Sequence, residues 1–349
     1  MHRTSDFDYQ LPPEQIAQHP LPDRAASRLL VLDRSIGGMR HAQFRDIVEL
    51  IAPQDVLVLN TSRVIPARLH GTRGPGSGTR GPGGEAEILL VRELPDGSWL
   101  AMGHPGGKLK PGRIVRFGDD SAVEIVEMLG GGLRRVRFVG ALDVPATLAK
   151  YGETPLPPYI RRPPGPEDRA RYQTVYAAHD GSVAAPTAGL HFTRELLEQV
   201  RASGTAVATL DLHVGPGTFK PVEVDDLAGH SMHAEPYAVS EEAAATINGR
   251  REAGGRIWAV GTTVVRTLET CADGQGVIRP GAGETALFIY PPYRFRAADR
   301  LLTNFHLPRS TLLMLVCAFG GYENVMRAYE AAVREGYRFY SYGDAMAIV

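Results

Sequence analysis

The chain has 349 residues, of which 43% are hydrophobic, and its formal net charge is −1. This composition favours a globular protein with a sizeable core, and the length predicts two domains. The near-neutral charge excludes a protein that is basic over its whole surface, so a partner with a phosphate backbone would need a local basic patch.

Neither a membrane span nor a secretion signal is expected. No stretch reaches about 18 apolar residues, and the N-terminal stretch is polar without an apolar core. The two cysteines, Cys271 and Cys317, lie far apart in apolar helical patterns. They are therefore expected to be reduced, buried thiols, as in a cytoplasmic protein.

The first elements predict a mainly parallel sheet. RLLVLD (28–33) and DVLVLN (55–60) are continuous apolar runs, which is typical of buried strands. The segment 44–51 between them has helical spacing and stops before Pro53. Strand, helix and strand in this order form the unit of a parallel sheet.

The pattern changes between residues 66 and 146. Short runs rich in Val, Ile and Leu are separated by glycine turns about 8–12 residues apart, which predicts a small antiparallel barrel. We interpret it as an insertion: residues 66–146 form the barrel domain, and residues 1–65 and 147–349 form a discontinuous α/β domain. The tract GTRGPGSGTRGPGG (71–84) contains GTRGPG twice and is expected to be a hairpin tip.

After a proline-rich connector (154–173) the α/β pattern returns. The fold class is therefore mixed, mainly parallel α/β with an inserted antiparallel β-barrel. Helices are predicted at 194–203, 240–255, 262–271, from about 310 and at 322–335. Strands are predicted at 205–214, 256–261 and 285–290.

A cluster of titratable residues lies in GHSMHAEPY (229–237). It contains His230, His233 and Glu235, and His213 lies upstream. A zinc site is one interpretation, but the HExxH pattern of zinc proteases is absent, and Gly229 and Pro236 favour a loop. Histidines held by backbone hydrogen bonds, or a polar pocket for acid–base work, are the alternatives.

Three further loops suit ligand binding. PTAGLHFT (186–193) and LHVGPGTFKPV (212–222) bring glycines and prolines next to histidines, which is typical of backbone close to a ligand. VGTTVVRTLE (260–269) runs from a strand end into a helix, whose free N–H groups can bind an anion. Arginines interleaved with aromatic residues around 159–162 and 290–300 suit single-stranded RNA.

Together these motifs resemble the S-adenosylmethionine:tRNA ribosyltransferase-isomerase family of queuosine biosynthesis. The resemblance covers nearly the whole chain, and its motifs are FDYQLPPEQIAQHPLPDRAASRLLVLDR, VLVLNTSRVIPARLHG, TPLPPYI, YQTVYA, APTAGLHFT, LHVGPGTFKPV, HSMHAEPY, AVGTTVVRTLE, TNFHLPRSTLLMLVCAF and YRFYSYGDAMAI. The barrel region departs from the family's pattern in its GTRGPG repeat and in GHPGGKLKPG (103–112).

The resemblance implies a reaction. The ribosyl part of S-adenosylmethionine, the co-substrate, is transferred to 7-aminomethyl-7-deazaguanine in the tRNA anticodon and rearranged, giving epoxyqueuosine-tRNA, adenine and methionine. It also implies a monomeric cytoplasmic enzyme that needs no metal. The rival interpretations are a metal-dependent hydrolase built on the HxxHxE cluster and a non-catalytic RNA-binding protein.

The reaction calls for groups that titrate near neutrality and for polar contacts to both substrates. The candidate catalytic residues are His191, His213, His230, His233 and Glu235. The candidate substrate-binding residues are Thr187, Gly189, Gly215, Gly217, Thr262, Thr263 and Arg266. The candidate tRNA-binding residues are Arg161, Arg162, Arg294 and Arg296.

Overall fold

The computed structural model describes residues 3–74, 83–215, 222 and 224–349. The strands of this part of the chain are β1 Arg28–Leu32, β2 Met39–Gln43, β3 Val56–Asn60, β4 Ser62–Val64, β5 Arg68–Arg73, β6 Glu85–Glu93, β7 Trp99–His104, β8 Ile114–Phe117, β9 Ser121–Gly130, β10 Leu133–Phe138, β11 Gly152–Glu153, β12 His179–Ser182, β13 Ala206–Leu212, β14 Glu235–Val239, β15 Ile257–Val260, β16 Gly281–Thr285, β17 Arg300–Asn304 and β18 Ala345–Ile348. The α-helices are α1 Val144–Tyr151, α2 Asp168–Arg171, α3 Arg194–Ala202, α4 Glu241–Glu252, α5 Thr262–Cys271, α6 Thr311–Gly320 and α7 Tyr322–Arg334. The 3₁₀ helices are Thr4–Phe7, Pro13–Gln15, Arg24–Ala26, Phe44–Glu49, Gly106–Lys108, Thr187–His191 and Leu227–Gly229.

A nine-stranded mixed sheet organises the larger part of the molecule, in the order β16-β14-β13-β3-β15-β17-β18-β1-β2. Parallel pairings join β13, β3, β15 and β17 at its centre and β18 to β1. Antiparallel pairings add β14 and then β16 at one edge and β2 at the other, and they join β17 to β18. The mixed α/β fold predicted from the sequence is confirmed.

Side chains alternate across this sheet and form two cores. In β3, Val56 and Val58 belong to the core beneath α4, α5, α6 and α7, whereas Leu57 and Leu59 belong to the core beneath α3. This alternation follows from the two-residue period of a strand. A continuous apolar run such as VLVL is therefore needed where a sheet is covered on both faces.

Side-chain caps begin α3, α4 and α6, three of the helices that the sequence predicted. Ser240 accepts a hydrogen bond from the Ala243 amide at the start of α4, and Ser310 does the same for Leu313 at the start of α6. Such caps satisfy amide groups that have no partner inside the helix. The predicted helices at 194–203, 240–255, 262–271, from about 310 and at 322–335 are confirmed within a few residues.

The inserted barrel is also confirmed. Strands β5, β6, β7, β10, β9 and β8 pair antiparallel in this order, and β5 pairs with β8 to close the ring. Its core contains Leu69, Ile88, Val115 and Val136. The predicted domain boundaries stay a prediction, and most of the GTRGPG repeat, residues 75–82, lies outside the described residues.

One predicted strand is wrong, and several other strands were not predicted. A strand was expected at 285–290, but the observed strand β16 ends at Thr285, the first residue of that range. The residues that follow leave the edge of the sheet. There Leu287 accepts a hydrogen bond from Arg266, and Phe288 and Tyr290 pack against the helical core. The apolar residues of the segment 285–290 thus reflect packing against the helical core and not strand pairing.

The strands that were missed are β2, β4, β5, β11, β12, β14, β17 and β18. Strand β14 begins at Glu235, in a stretch expected to be a loop, because Glu235–Val239 pairs with β13 and β16. The helix expected at 44–51 is the 3₁₀ helix Phe44–Glu49.

The remaining general predictions concern the cysteines and the membrane. Cys271 and Cys317 are free and buried, as predicted. Among the described residues, no helix is long and apolar enough to cross a membrane.

Candidate active site

A cleft of about 1000 Å³ lies between the barrel and one edge of the large sheet. Its barrel side comes from β6, β7, β10 and α1 and is mainly apolar, with Val91, Trp99, Leu100, Met102, Leu133 and Leu148. Its sheet side is polar, with Asp180, Gly181, His213, Gly215, His233 and Glu235. A cavity with one apolar wall and a few convergent polar groups is typical of a small-molecule site.

Glu235 is a fixed carboxylate in this cleft. It begins β14 and is only 5% exposed, and the Arg266 guanidinium of α5 donates a hydrogen bond to its Oε2. Its Oε1 accepts a hydrogen bond from the Gly215 amide at 2.9 Å. Arg266 also donates to the carbonyls of Leu287 and Thr285. Arg266 therefore fixes Glu235, and Glu235 in turn holds the segment after β13.

His213 follows β13 and lines the cleft beside Gly181. Its backbone amide donates to the Pro236 carbonyl at 2.9 Å, which places the residue between β12 and β14. Burial lowers the pKa of His213, while Asp211 opposes that shift. A neutral imidazole is the form that can exchange hydrogen bonds with a ligand near pH 7.

His230 and His233 have different surroundings, although they are only three residues apart in the sequence. His233 is exposed and lines the cleft. His230 packs edge-to-face on Phe288, with 5.0 Å between ring centroids, and is absent from the cleft wall. Burial, and then the neighbouring His233, lower the pKa of His230.

A second, small cavity of about 60 Å³ lies at the beginning of α5. Thr187, Thr262 and Thr263 line it, together with Asn304 and His306. Gly261 makes the tight turn from β15 into α5 with φ +95°, a conformation that favours glycine. No side chain of the described residues caps this helix, and the hydroxyl of Thr263 has no hydrogen-bond partner among them.

His191 lies outside the cleft. It is 3% exposed, its Nδ1 is 2.8 Å from the Ser27 hydroxyl, and its ring stacks on Phe44 at 4.8 Å. Burial lowers its pKa to about 4. It lines a third cavity of about 20 Å³, and Gly189 beside it packs against the Tyr176 hydroxyl.

The arginines predicted to bind tRNA fall into two kinds. Arg162 makes hydrogen bonds of 2.6 and 2.9 Å to both oxygens of the buried Asp168, so its charge is neutralised internally. Arg161, Arg294 and Arg296 are exposed. The segment of Arg294 and Arg296 is anchored on Glu269, towards the C-terminal end of α5 and away from the Thr262 end.

Sequence reasoning missed several residues of these cavities. Asp180 and Arg169 line the cleft, and Asn304 and His306 line the small cavity. The motif TNFHLPRST contains the last two, and the order strand, polar residues and helix was a usable signal there. No sequence signal marks the barrel wall, because its apolar residues look like any strand residues. Gly217 lies outside the described residues.

No group of three or more His, Cys, Asp or Glu side chains within the described ranges is arranged to hold a metal ion. Whether the reaction proceeds without a metal stays a prediction. The polar atoms of the cleft are nevertheless suited to hydrogen bonding and proton transfer.

Fold and cleft together define the class: an α/β enzyme whose cleft is bounded on one side by an inserted β-barrel. The comparisons with known proteins narrow this class. The family described as queuosine biosynthesis protein matches residues 4–348. The chain belongs to this family, so the resemblance seen in its motifs is confirmed.

Curated relatives have the same size and a common name. Proteins named S-adenosylmethionine:tRNA ribosyltransferase-isomerase from Moorella thermoacetica and Symbiobacterium thermophilum are 52% and 51% identical to this chain. Each alignment covers 99% of this chain and 100% of the relative. A solved S-adenosylmethionine tRNA ribosyltransferase from Thermotoga maritima is 39% identical, covers 99% of this chain and 100% of its own, and has a TM-score of 0.56.

Proposed function

We propose that this enzyme transfers and isomerises the ribosyl part of S-adenosylmethionine onto 7-aminomethyl-7-deazaguanine in the tRNA anticodon, with epoxyqueuosine-tRNA, adenine and methionine as products. The observation that carries the proposal is the full-length match to relatives named for this activity. The cleft supports it, because about 1000 Å³ can hold a nucleoside and a modified base together. We further propose that the enzyme is a cytoplasmic monomer without a metal.

The reaction needs three kinds of group. A base must remove a proton from the 5′ carbon beside the sulfonium, an acid must protonate the departing adenine, and the attacking amine must be neutral. The imidazoles of His213 and His233 face the cleft and supply hydrogen bonds and proton transfer there. We assign His230, which packs on Phe288 and does not line the cleft, to supporting this segment.

Glu235 acts as a hydrogen-bond acceptor for the substrates and not as the base. Its carboxylate already receives hydrogen bonds from Arg266 and from Gly215, which hold both of its oxygens in place. A buried carboxylate held in this way suits the N–H donors of the deazaguanine edge. Arg266 accordingly holds Glu235 in place and does not bind substrate directly.

Thr187, Thr262 and Thr263 line the second substrate site, at the N-terminus of α5. The free amide groups there and the helix dipole favour an anion. The methionine carboxylate of S-adenosylmethionine fits this role. We propose that Gly189 and the buried His191 shape the loop that carries Thr187, since His191 lies outside the cleft.

The tRNA contacts belong to the exposed arginines Arg161, Arg294 and Arg296. Arg162 instead stabilises the connector through its two hydrogen bonds to Asp168. The rival interpretations, a metal-dependent hydrolase and a non-catalytic RNA-binding protein, are not favoured by the names of the relatives.

The test is incubation with S-adenosylmethionine and tRNA that carries 7-aminomethyl-7-deazaguanine. We expect free adenine and a heavier nucleoside in the digested tRNA. The variant His233→Ala should slow adenine release by roughly 10²–10⁴-fold if this imidazole transfers a proton. Absence of adenine release from the folded wild-type protein, or turnover that depends on an added transition metal, would contradict the proposal.

A further inference from the structure

Gly181 is an unusual residue in the polar wall of the cleft. It lies in β12 at a break in the strand register and has φ +144°, a conformation that side chains disfavour. A β-carbon at this position would stand 2.7 Å from His213 Nδ1 and 2.8 Å from its Cε1. Only glycine therefore leaves room for the imidazole where it now lies.

The two ring nitrogens of His213 have different surroundings. Nδ1 is buried and has no hydrogen-bond partner within the described part of the chain. Gly181 lies against the edge of the ring that carries Nδ1 and Cε1. Because the ring is only half-buried and lines the cleft, we take the opposite edge, which carries Nε2, to face the cleft. A substrate can therefore reach Nε2, whereas Gly181 blocks the approach to Nδ1.

This arrangement decides where the proton of the neutral ring lies. A buried N–H without an acceptor is rare and costly, and an unused lone pair is more easily tolerated. The proton is thus favoured on Nε2, where it points into the cleft. Protonation of the whole ring would place a second, unpaired N–H against Gly181.

The acidic groups around His213 favour the charged ring, but burial outweighs them. Asp211, on β13 itself, favours the charged ring, but it is engaged by His179 at 2.8 Å and by the Thr61 hydroxyl at 2.7 Å. Asp180 of β12 and Glu235 of β14 also face the cleft, and Glu235 is paired with Arg266. Burial is the largest influence on the pKa of His213, and it lowers that pKa.

We infer that His213 acts on the substrates as a neutral hydrogen-bond donor through Nε2 and not as the base, and that Gly181 is the positioning residue that holds it in this form. The inference rests on the proposed function for the identity of the substrates. It leaves His233 as the imidazole that transfers protons. It also gives a reason for the register break and the positive φ in β12.

The first test uses glutamine as a mimic, because its side-chain amide can place an N–H near the position of Nε2. His213→Gln should release adenine within about tenfold of the wild-type rate, with an unchanged pH–rate profile. His213→Ala should lose about 10²–10³-fold, as is typical for removal of one well-placed donor. A glutamine variant as slow as the alanine variant, or one that loses a limb of the pH profile, would overturn the donor role.

The second test separates positioning from folding. Gly181→Ala should slow adenine release in the wild-type background but add nothing to His213→Ala, because Gly181 acts through His213. Gly254→Ala is the matched control: Gly254 also has a positive φ, +82°, but a β-carbon there meets nothing within 4 Å. The positioning role would be overturned if Gly181→Ala released adenine at the wild-type rate. It would also be overturned if adding Gly181→Ala to His213→Ala slowed adenine release further.

The third test does not depend on turnover. Nitrogen NMR of the free protein with labelled histidine reports which ring nitrogen of His213 carries the proton. We expect the Nε2–H form, and the assignment is made by comparison with His213→Gln. A proton on Nδ1 would refute the inference, even if adenine release confirms the proposed function. If the Nε2–H form is present but the wild-type protein releases no adenine, the result would count only against the proposed function.

Discussion

Burial divides the histidines of this enzyme into two kinds. His191 and His306 are almost fully buried, and burial lowers their pKa values to about 4 and about 3. His213 and His233 reach the cleft. A group that stays neutral down to acidic pH cannot serve as a proton shuttle near pH 7, but it can hold a loop in place.

The buried His191 makes stability depend on pH. The unfolded side chain titrates near its ordinary value of 6.5, whereas the folded one titrates near 4. The unfolded chain therefore binds the proton first as pH falls, and stability that is fully present above about pH 6.5 is lost down to about pH 4. The loss is about 3 kcal/mol, at 1.36 kcal/mol for each pKa unit.

Denaturant unfolding at several pH values checks this prediction. His191→Gln should flatten the fall in unfolding free energy between about pH 6.5 and 4, and His306, His213 and His230, whose pKa values burial also lowers, should contribute to the slope that remains. His104→Gln, on the exposed surface of β7, is the control and should keep the wild-type slope. An unchanged slope in His191→Gln would contradict the assignment.

At the residue scale, the sequence predicted which residues are polar and clustered but not which of them meet. His230 and His233 share a motif, yet only His233 lines the cleft. Glu235 pairs with Arg266, 31 positions away, because α5 packs on β13 and β16, the two strands that flank β14. Contacts of this kind depend on tertiary packing, which local spacing does not contain.

Helix α5 contributes to both parts of the candidate site, the small cavity and the cleft. Its bounds, Thr262–Cys271, coincide with the predicted helix, because the turn at Gly261 and the apolar spacing are local signals. Its first turn borders the small cavity, and its middle holds Glu235 through Arg266. Edge elements such as Gly281–Thr285 were harder to predict, because pairing with β14 and not residue type defines them.

Two threonines of α5 give a matched pair of variants. The Thr263 hydroxyl has no hydrogen-bond partner in the described residues, whereas the Thr270 hydroxyl is 2.7 Å from both the Arg266 carbonyl and Thr285 Oγ1. Thr263→Val should therefore leave the melting temperature nearly unchanged and raise KM for S-adenosylmethionine by about tenfold, the loss of roughly one hydrogen bond. Thr270→Val should lower the melting temperature and leave KM unchanged.

Thermal unfolding and steady-state adenine release measure both quantities. A normal KM in Thr263→Val would remove this threonine from the binding site. A raised KM in both variants would instead indicate a general effect on the helix.

At the scale of the whole molecule, the cleft exists because two separate cores face each other. The barrel has its own core, and the large sheet has others. Arg92 of β6 and Glu284 of β16 form a surface ion pair between barrel and sheet. The sequence predicted both folds from periodicity, but which barrel face meets the sheet depends on such contacts between distant residues.

Binding of tRNA is a property of this whole surface. Arg294 and Arg296 lie towards the C-terminal end of α5, a helix of ten residues and roughly 15 Å in length, so they lie about that far from the small cavity at its N-terminal end. Each phosphate contact releases counterions, and affinity falls linearly with salt on a logarithmic scale. Arg294→Gln combined with Arg296→Gln should weaken tRNA binding and reduce the salt slope by about 2.

The matched control neutralises Arg194 and Arg201, two exposed arginines of α3 on the opposite face of the sheet. This pair removes the same net charge, so an effect of overall charge would appear in both variants. Filter binding of tRNA between low and physiological salt measures the slopes. Equal slopes in the two double variants would show that Arg294 and Arg296 make no specific contact, whereas a reduced slope only in the first would place the RNA along α5.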